Sequence, residues 1–273
     1  MRAMLATEPG NPDKPNEDWA LVSPGLAVVL DGATARTDTG CVHGVAWFAH
    51  QLGAAIVANA AVRAANLAGC LASAIDRVAS LHPQCDLNHP GTPSAAVGII
   101  RIHGNELEYL VLSDISICLA TREGGRQVIT DSRVSATARR VRTELANLAI
   151  GSDEQAEALL RMKRAELAAR NRPGGYWVAA NDPTAAEHAI TGAVPLRTIE
   201  DLVVLTDGAA RIVDPFGLMN WNEFVESLRD QGPTELLRRV REAEAKDPDG
   251  QRWPRNKRSD DATILHLSDI PRG

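Results

Sequence analysis

Three short apolar segments of the sequence each place an aspartate near their carboxyl end. LAVVLDGA carries Asp31, YLVLSDIS carries Asp114 and LVVLTDGA carries Asp207. Segments of this length and composition are typical of buried strands, which hold the residues at their ends in fixed positions. A single Asp-Gly pair is also a common turn. Three apolar strands with the same kind of ending favour a shared site.

Two acidic pairs lie directly before further apolar segments. Glu17 and Asp18 form the first pair, and Asp260 and Asp261 form the second. Carboxylates that converge without a counter-charge repel one another, so their convergence implies a bound cation or raised pKa values. Mg2+ and Mn2+ are hard cations that prefer oxygen ligands. The chemistry that these residues indicate is that of a divalent metal bound by carboxylates.

The elements that would position these residues follow from hydrophobic periodicity. Helices are predicted at 40–67, 68–81, 139–170, 222–229 and 234–245. Strands are predicted at 19–22, 26–30, 94–102, 108–120, 202–205 and 262–267. This order predicts an α+β fold of antiparallel sheets with helices packed outside. Because no repeat or low-complexity linker divides the chain, we expect a single domain over residues 1–273.

The composition is that of an ordinary soluble globular protein, with 44% hydrophobic and 23% charged residues among 273. The formal net charge of −6 argues against nucleic acid as a partner. The apolar region 44–62 is too polar for a membrane span, and the start of the sequence lacks the apolar stretch of a signal peptide. We therefore expect a cytoplasmic protein that binds neither nucleic acid nor membrane.

The four cysteines, Cys41, Cys70, Cys85 and Cys118, show no Cys-x-x-Cys pair. That spacing is a frequent signature of zinc binding, so we expect no zinc site. The cysteines are interpreted as free, buried thiols in a reducing compartment.

Taken in order, the acidic motifs resemble those of the PP2C (PPM) family of metal-dependent serine/threonine phosphatases, and most closely its bacterial members. Each motif is short, but the set extends over nearly the whole chain. The resemblance implies an α/β/β/α four-layer sandwich of two antiparallel sheets flanked by helices. The matching segments are NED at 16–18, VVLDGA at 28–33, VLSD at 111–114, VLTDGA at 204–209 and SDDAT at 259–263.

The resemblance also implies a set of ligands for two Mn2+ or Mg2+ ions. By similarity, Asp31 bridges the two metals. Asp207 and Asp260 complete the first site. Glu17 and the carbonyl of Gly32 serve the second site.

Two more aspartates have implied roles near these metals. Asp18 matches a residue in the outer shell of the second site, and Asp114 matches one that helps to hold a third, weaker metal in bacterial relatives. Metals in such a site acidify water for in-line attack on a phosphate monoester. The implied substrate is phosphoserine or phosphothreonine in a protein, with a cognate kinase as an open further partner.

The sequence departs from the family at the phosphate-binding and proton-donating positions. Where many members carry a phosphate-binding arginine, this sequence has Asp13 followed by Lys14. We expect Lys14 to take that role, with Arg36 as the other candidate. Ala33 occupies the place of the general-acid histidine of eukaryotic relatives, and His43 is interpreted as a surface residue of a helix. The flap region, 137–185, shows no match.

A basic cluster directly precedes Asp260 and has two interpretations. It is either a solvated loop that offsets nearby acids or a contact for a phosphorylated substrate at the rim of the site. The cluster consists of Arg252, Arg255, Lys257 and Arg258.

Three functions remain open from the sequence. The first is an active protein phosphatase with Asp31, Asp207, Lys14 and Arg36 as its catalytic candidates. The second is a catalytically weak pseudophosphatase that acts as a regulatory binding module, which the missing arginine and histidine favour. The third is a phosphatase of small phosphomonoesters, since the same chemistry serves both kinds of substrate. The complete set of carboxylates favours an enzyme.

Overall fold

The computed structural model describes residues 1–62 and 65–271, which contain two five-stranded antiparallel sheets. The strands are β1 (Arg2–Glu8), β2 (Trp19–Ser23), β3 (Leu26–Gly32), β4 (Ala95–His103), β5 (Glu106–Leu112), β6 (Ser116–Thr121), β7 (Arg126–Ile129), β8 (Ile190–Pro195), β9 (Ile199–Leu205) and β10 (Ala262–Ser268). The helices are α1 (Val45–Ala60), α2 (Leu67–Ala79), α3 (Arg133–Ala136), α4 (Arg139–Leu145), α5 (Asp153–Ala169), α6 (Asp207–Ala210), α7 (Trp221–Gln231) and α8 (Pro233–Lys246).

The two sheets pack face to face through their apolar side chains. The first sheet has the order β2-β3-β4-β5-β8, and the second has the order β1-β10-β9-β6-β7. Val29 and Ile100 of the first sheet share one buried cluster with Ile117 and Leu265 of the second. Because side chains alternate along a strand, the neighbours of these residues point to the outer faces.

Helices cover both outer faces of the sandwich. Leu30 of β3 packs with Phe48 of α1 in one cluster, which also includes residues of α2. Leu205 of β9 packs with Phe224 of α7 in another cluster, which extends to α8. The layers are therefore helix, sheet, sheet and helix. This arrangement confirms the predicted α+β sandwich of two antiparallel sheets flanked by helices.

The predicted strand 108–120 is wrong, because the chain passes from one sheet to the other within it. β5 belongs to the first sheet and β6 to the second. Between them Ser113 has a φ of 67°, a left-handed conformation that turns the chain. Both strands are buried, so the sequence shows one continuous apolar run. Asp114 thus lies at the crossing between the sheets.

Other differences occur where the sequence signal is weak. The strands β1, β7 and β8 lie at sheet edges and were missed, since half-exposed edge strands carry little apolar pattern. The predicted helix 139–170 is divided into α4 and α5, and α1 begins at Val45 rather than at residue 40. Among the described residues, no helix combines the length and apolar character that crossing a membrane requires.

The cysteines do not all have the expected environment. Cys70 and Cys118 are buried, whereas Cys41 and Cys85 are only partly buried. The sulfurs of Cys41 and Cys85 lie 3.6 Å apart, in two loops that are distant in sequence.

The outer helical layer should contribute strongly to stability. Leu228 of α7 is fully buried against the second sheet, whereas Leu218 is 46% exposed. We expect Leu228→Ala to lower the free energy of unfolding by about 2–5 kcal/mol, because it removes buried methyl groups and leaves a cavity. The matched control, Leu218→Ala, should change it by under about 0.5 kcal/mol. Urea denaturation measures both, and equal losses would contradict this packing.

Candidate metal centre

A cavity of about 180 Å³ lies where the two sheets meet, and its wall contains Asp31, Asp114, Asp207 and Asp260. Asp31 is near the end of β3, Asp207 begins α6 two residues after the end of β9, and Asp260 lies two residues before β10. Asp114 reaches the same cavity from the crossing between β5 and β6. The structure thus brings together four of the carboxylates that the sequence indicated.

Burial and the charges of neighbouring carboxylates raise the pKa of Asp31, Asp114 and Asp207. Burial raises the pKa of Asp31 well above its usual range, and the charges of Asp18, Asp207, Asp260 and Asp114 raise it further. Burial and the charge of Asp260 raise the pKa of Asp207. Burial, followed by the charge of Asp207, raises the pKa of Asp114 to about 6. Carboxylates that converge in this way make the site strongly attractive to a cation.

Asp18 lies deeper than the other carboxylates and is fixed by two hydroxyl groups. One of its oxygens accepts hydrogen bonds from Thr206 at 2.9 Å and from Thr263 at 2.7 Å. Its other oxygen, Oδ1, is buried and has no partner within the described part of the chain. Burial raises the pKa of Asp18 well above its usual range. A buried carboxylate oxygen without a partner is unfavourable unless water or a cation satisfies it.

Glu17 and Gly32 are in contact beside the carboxylate cluster. The Gly32 N–H donates to the Glu17 carbonyl at 3.2 Å, and the Thr34 hydroxyl donates to the Glu17 carboxylate at 2.5 Å. A Cβ on Gly32 would lie 2.6 Å from both the Glu17 carbonyl oxygen and a methyl group of Val45. Only glycine fits there. Gly32 and Thr34 belong to the cavity wall, which places Glu17 next to it.

Two cations hold Asp260. Arg211 donates to its Oδ2 at 2.7 Å, and Lys257 forms an ion pair with its Oδ1. Arg211 also binds the buried Glu244 at 2.9 Å, and Lys257 donates to the Thr34 hydroxyl at 3.0 Å. Burial opposes the charge of Lys257, but the attraction of Asp260 raises its pKa overall. These contacts orient Asp260 and offset part of the negative charge of the site.

The adjacent Asp261 faces away from the cavity and has a structural role. Its carboxylate accepts from the N–H groups of Gly10 and Glu17, each at 2.7 Å. A Cβ on Gly208 would collide with the Asp261 carbonyl oxygen, so the turn after β9 packs directly on this segment. Asp260 therefore belongs to the site, whereas Asp261 ties the N-terminal segment to the start of β10.

Three cationic side chains that lie in the cavity wall are Arg36, Arg142 and Lys163. Arg36 donates to the carbonyl of Asn256 at 3.4 Å, and burial lowers its pKa. Arg142 of α4 pairs with Glu166 of α5. Burial also lowers the pKa of Lys163. A phosphate group entering the cavity would meet both carboxylates and these cations in its wall.

Lys14 does not occupy the position that the sequence predicted. It is exposed and lies outside the cavity wall, because it closes a turn in which its N–H donates to the Asn11 carbonyl at 3.1 Å. Arg36 is in the wall, so the structure favours Arg36 over Lys14, and which of the two binds phosphate stays a prediction. Ala33 is also in the wall.

The basic cluster before Asp260 divides into two roles. Lys257 lies in the cavity wall and pairs with Asp260, so it offsets a nearby acid as the first interpretation expects, and a contact with phosphorylated substrate stays a prediction. Arg255 instead donates to the Asp247 carboxylate at 2.9 Å and is buried in the loop. The wall residues Arg142 and Lys163 come from the region without a family match, where the sequence gave no sign of which helix face would meet the cavity.

The fold is that of bacterial metal-dependent serine/threonine phosphatases of the PP2C (PPM) type. The catalytic domain of the serine/threonine phosphatase PstP, solved with two manganese ions, superimposes with a TM-score of 0.56 and 15% identity, covering 98% of this chain and 97% of that one. For MsPP from Mycobacterium smegmatis, in complex with cacodylate, the TM-score is 0.57 with 18% identity and 98% coverage of both chains.

A third similar structure is PppA, a key regulatory component of T6SS in Pseudomonas aeruginosa. It has a TM-score of 0.57 and 16% identity, with 97% of this chain and 96% of that chain covered. No protein-family model and no curated protein matches the sequence. The likeness is therefore one of fold.

The raised pKa of Asp114 predicts how the stability of the metal-free protein depends on pH. The carboxyl group binds its proton more tightly in the folded protein, with a pKa of about 6 against 3.8 when unperturbed. The contribution of the protonated Asp114 carboxyl group to the stability of the folded protein is complete below pH 3.8 and is lost as the pH rises through about 6.

Urea denaturation in EDTA between pH 4 and about 7 measures this effect. Because asparagine stays neutral throughout, Asp114→Asn should lose stability less steeply with rising pH than the wild type does. Parallel curves for the two proteins would show that Asp114 titrates normally.

Proposed function

We propose that this protein is a metal-dependent phosphomonoester hydrolase that removes phosphate from phosphoserine and phosphothreonine in proteins. The observation that carries the proposal is the convergence of Asp31, Asp114, Asp207 and Asp260 in one cavity of a PP2C-type sandwich. Both sheets contribute to this cavity, which supports residues 1–273 acting as one catalytic unit.

The donor set fits hard divalent cations. It consists of carboxylate and carbonyl oxygens, which Mg2+ and Mn2+ prefer. The raised pKa values and the unpartnered oxygen of Asp18 are features that a bound cation would relieve. When bound, such ions neutralise phosphoryl charge and acidify water for in-line attack.

We assign the ligands of two metals, and of a weaker third, from the positions of the motifs. Asp31, Asp207 and Asp260 would hold the first metal, and Asp31 would also be a ligand of the second. Glu17 and the Gly32 carbonyl would complete the second site, with Asp18 outside it, and Asp114 would help to hold the third metal.

In this proposal, cations of the cavity wall bind the phosphate. Arg36 is the best candidate, because it lies in the cavity wall and a guanidinium can contact two phosphate oxygens at once. Lys163 provides a second positive charge from α5. Lys257 and Arg211 act through Asp260, which they hold in one orientation. In the cytoplasm a cognate kinase would supply the phosphorylated protein.

One observation favours a second function. Arg211 and Lys257 already offset the charge of Asp260, so the cavity has internal counter-ions. Such internal counter-ions suit a protein that binds phosphorylated partners without hydrolysing them. In that case the chain would be a regulatory module, as the pseudophosphatase hypothesis states.

The activity can be tested with an aryl phosphate and a phosphothreonine peptide, each with and without Mn2+. We expect Mn2+-dependent hydrolysis of both, and a loss of at least about 100-fold, or 2.7 kcal/mol of barrier, in Asp31→Asn and Asp207→Asn. Asp13→Asn is the matched control, since Asp13 is exposed and outside the cavity. Asp31→Asn activity within about tenfold of wild type would remove that residue from catalysis. No turnover with either substrate would favour the regulatory module.

Phosphate binding by Arg36 can be tested by steady-state kinetics. Arg36→Ala should raise KM for a phosphomonoester by about tenfold and lower kcat less, because a phosphate clamp stabilises ground and transition states alike. Lys14→Ala should leave both constants within about twofold of wild type, as an exposed residue outside the wall. A larger effect at Lys14 than at Arg36 would reverse this assignment.

A further inference from the structure

Two cysteines and two histidines form a cluster outside the candidate metal centre. Cys41, His43, His82 and Cys85 each offer one ligand atom, and these atoms all lie within 4.8 Å of one another. The Cys41 and Cys85 sulfurs are 3.6 Å apart, and His43 Nδ1 is 3.7 Å from the first and 3.5 Å from the second. A tetrahedral zinc site has edges of about 3.8 Å between sulfurs and about 3.6 Å between sulfur and nitrogen.

His82 points independently to a ligand. Its side chain is buried, and its Nδ1 lies 2.9 Å from the Val78 carbonyl oxygen. Because a carbonyl only accepts, Nδ1 carries the proton and Nε2 presents a lone pair. This Nε2 is buried without a partner among residues 1–62 and 65–271. A backbone carbonyl that fixes the tautomer of an imidazole is a common arrangement behind histidine ligands of metals.

One backbone N–H is directed at the cluster, since the His43 N–H donates to the Cys41 sulfur at 3.4 Å. Burial nevertheless raises the pKa of the Cys41 thiol overall, so a bound cation rather than the surroundings would have to favour the thiolate. The Trp47 ring stacks on His43 with centroids 4.0 Å apart and meets His82 edge-on at 4.8 Å. Trp47 therefore shields the two imidazoles from solvent.

We propose that Cys41, His43, His82 and Cys85 form a structural Zn2+ site. Two thiolates and two imidazoles in a tetrahedral arrangement are typical of zinc, and four protein ligands leave no open position for catalysis. The ligand pairs have the spacing Cys-x-His and His-x-x-Cys, so a search for Cys-x-x-Cys misses them. The expectation of no zinc site was based on that search.

The zinc would join two loops that lead into the candidate metal centre. The loop between β3 and α1 carries Thr34 and Arg36 of the cavity wall, and the loop between α2 and β4 ends at Ser94 of the same wall. The Asp86 N–H donates to the Gly40 carbonyl at 2.9 Å, so the loops already touch. A zinc ion bound here would hold the two loops together and so fix the position of Arg36 in the cavity wall.

Metal analysis of the full chain tests the site without any assumption about phosphatase activity. Protein purified without chelator should contain about one zinc per chain, and the double variant Cys41→Ala/Cys85→Ala should contain less than about a tenth of that. Cys70→Ala, which removes a buried cysteine outside the cluster, and Asp31→Asn should keep their zinc. Equal zinc in the double variant and the wild type would overturn the proposal.

A second measurement covers the case in which the double variant does not fold. Wild-type protein freed of zinc by a chelator and then given Co2+ alone should show a thiolate-to-cobalt charge-transfer band, which added Zn2+ removes. The absence of this band, together with wild-type protein that contains no zinc, would overturn the proposal. A disulfide between Cys41 and Cys85 in freshly purified protein, detected by peptide mass, would do so as well.

Discussion

The repulsion among carboxylates at the meeting point of the two sheets is the constraint on which the rest of the structure depends. Asp31, Asp207 and Asp260 are held at strand ends of two sheets, so they cannot separate without breaking the sandwich. The free energy that keeps them together comes from apolar burial between and outside the sheets. The cations Arg211 and Lys257 offset only part of the charge. A stable fold thus maintains a site that is electrostatically unfavourable on its own.

The sequence indicated four of the aspartates that the structure brings together in the cavity wall, and the reason is local. An apolar run that ends in Asp-Gly specifies both a buried strand and the residue at its end, as at Asp31 and Asp207. The cationic half could not be predicted in this way. Lys14 and Arg36 were both plausible by sequence position, and only the direction of the turn that holds Lys14 separates them. Lys163 depends on how α5 lies against the cavity, which periodicity does not specify.

The difference between local sequence signals and the placement of distant segments also explains what could be predicted of the rest of the fold and of the cysteine-histidine cluster. The central strands were predicted because they are buried on both faces, whereas the edge strand β1 alternates weakly and was missed. Within the cluster each half contains only one cysteine and one histidine, and the two halves are separated by α1 and α2. Contact between distant loops is a tertiary property, and local spacing carries little information about it.

The hydrogen bonds of Asp261 to Gly10 and Glu17 have a consequence for protein synthesis. They connect residues that are 251 and 244 positions apart, and β1 pairs with β10 along its length. The second sheet and the acidic cavity therefore cannot be completed until residue 261 has left the ribosome. Until then the nascent chain exposes the edges of β9 and the inner faces of both sheets. The first sheet, without β8, can form from residues 19–112 alone. The strands that are synthesised later would then pack against this sheet.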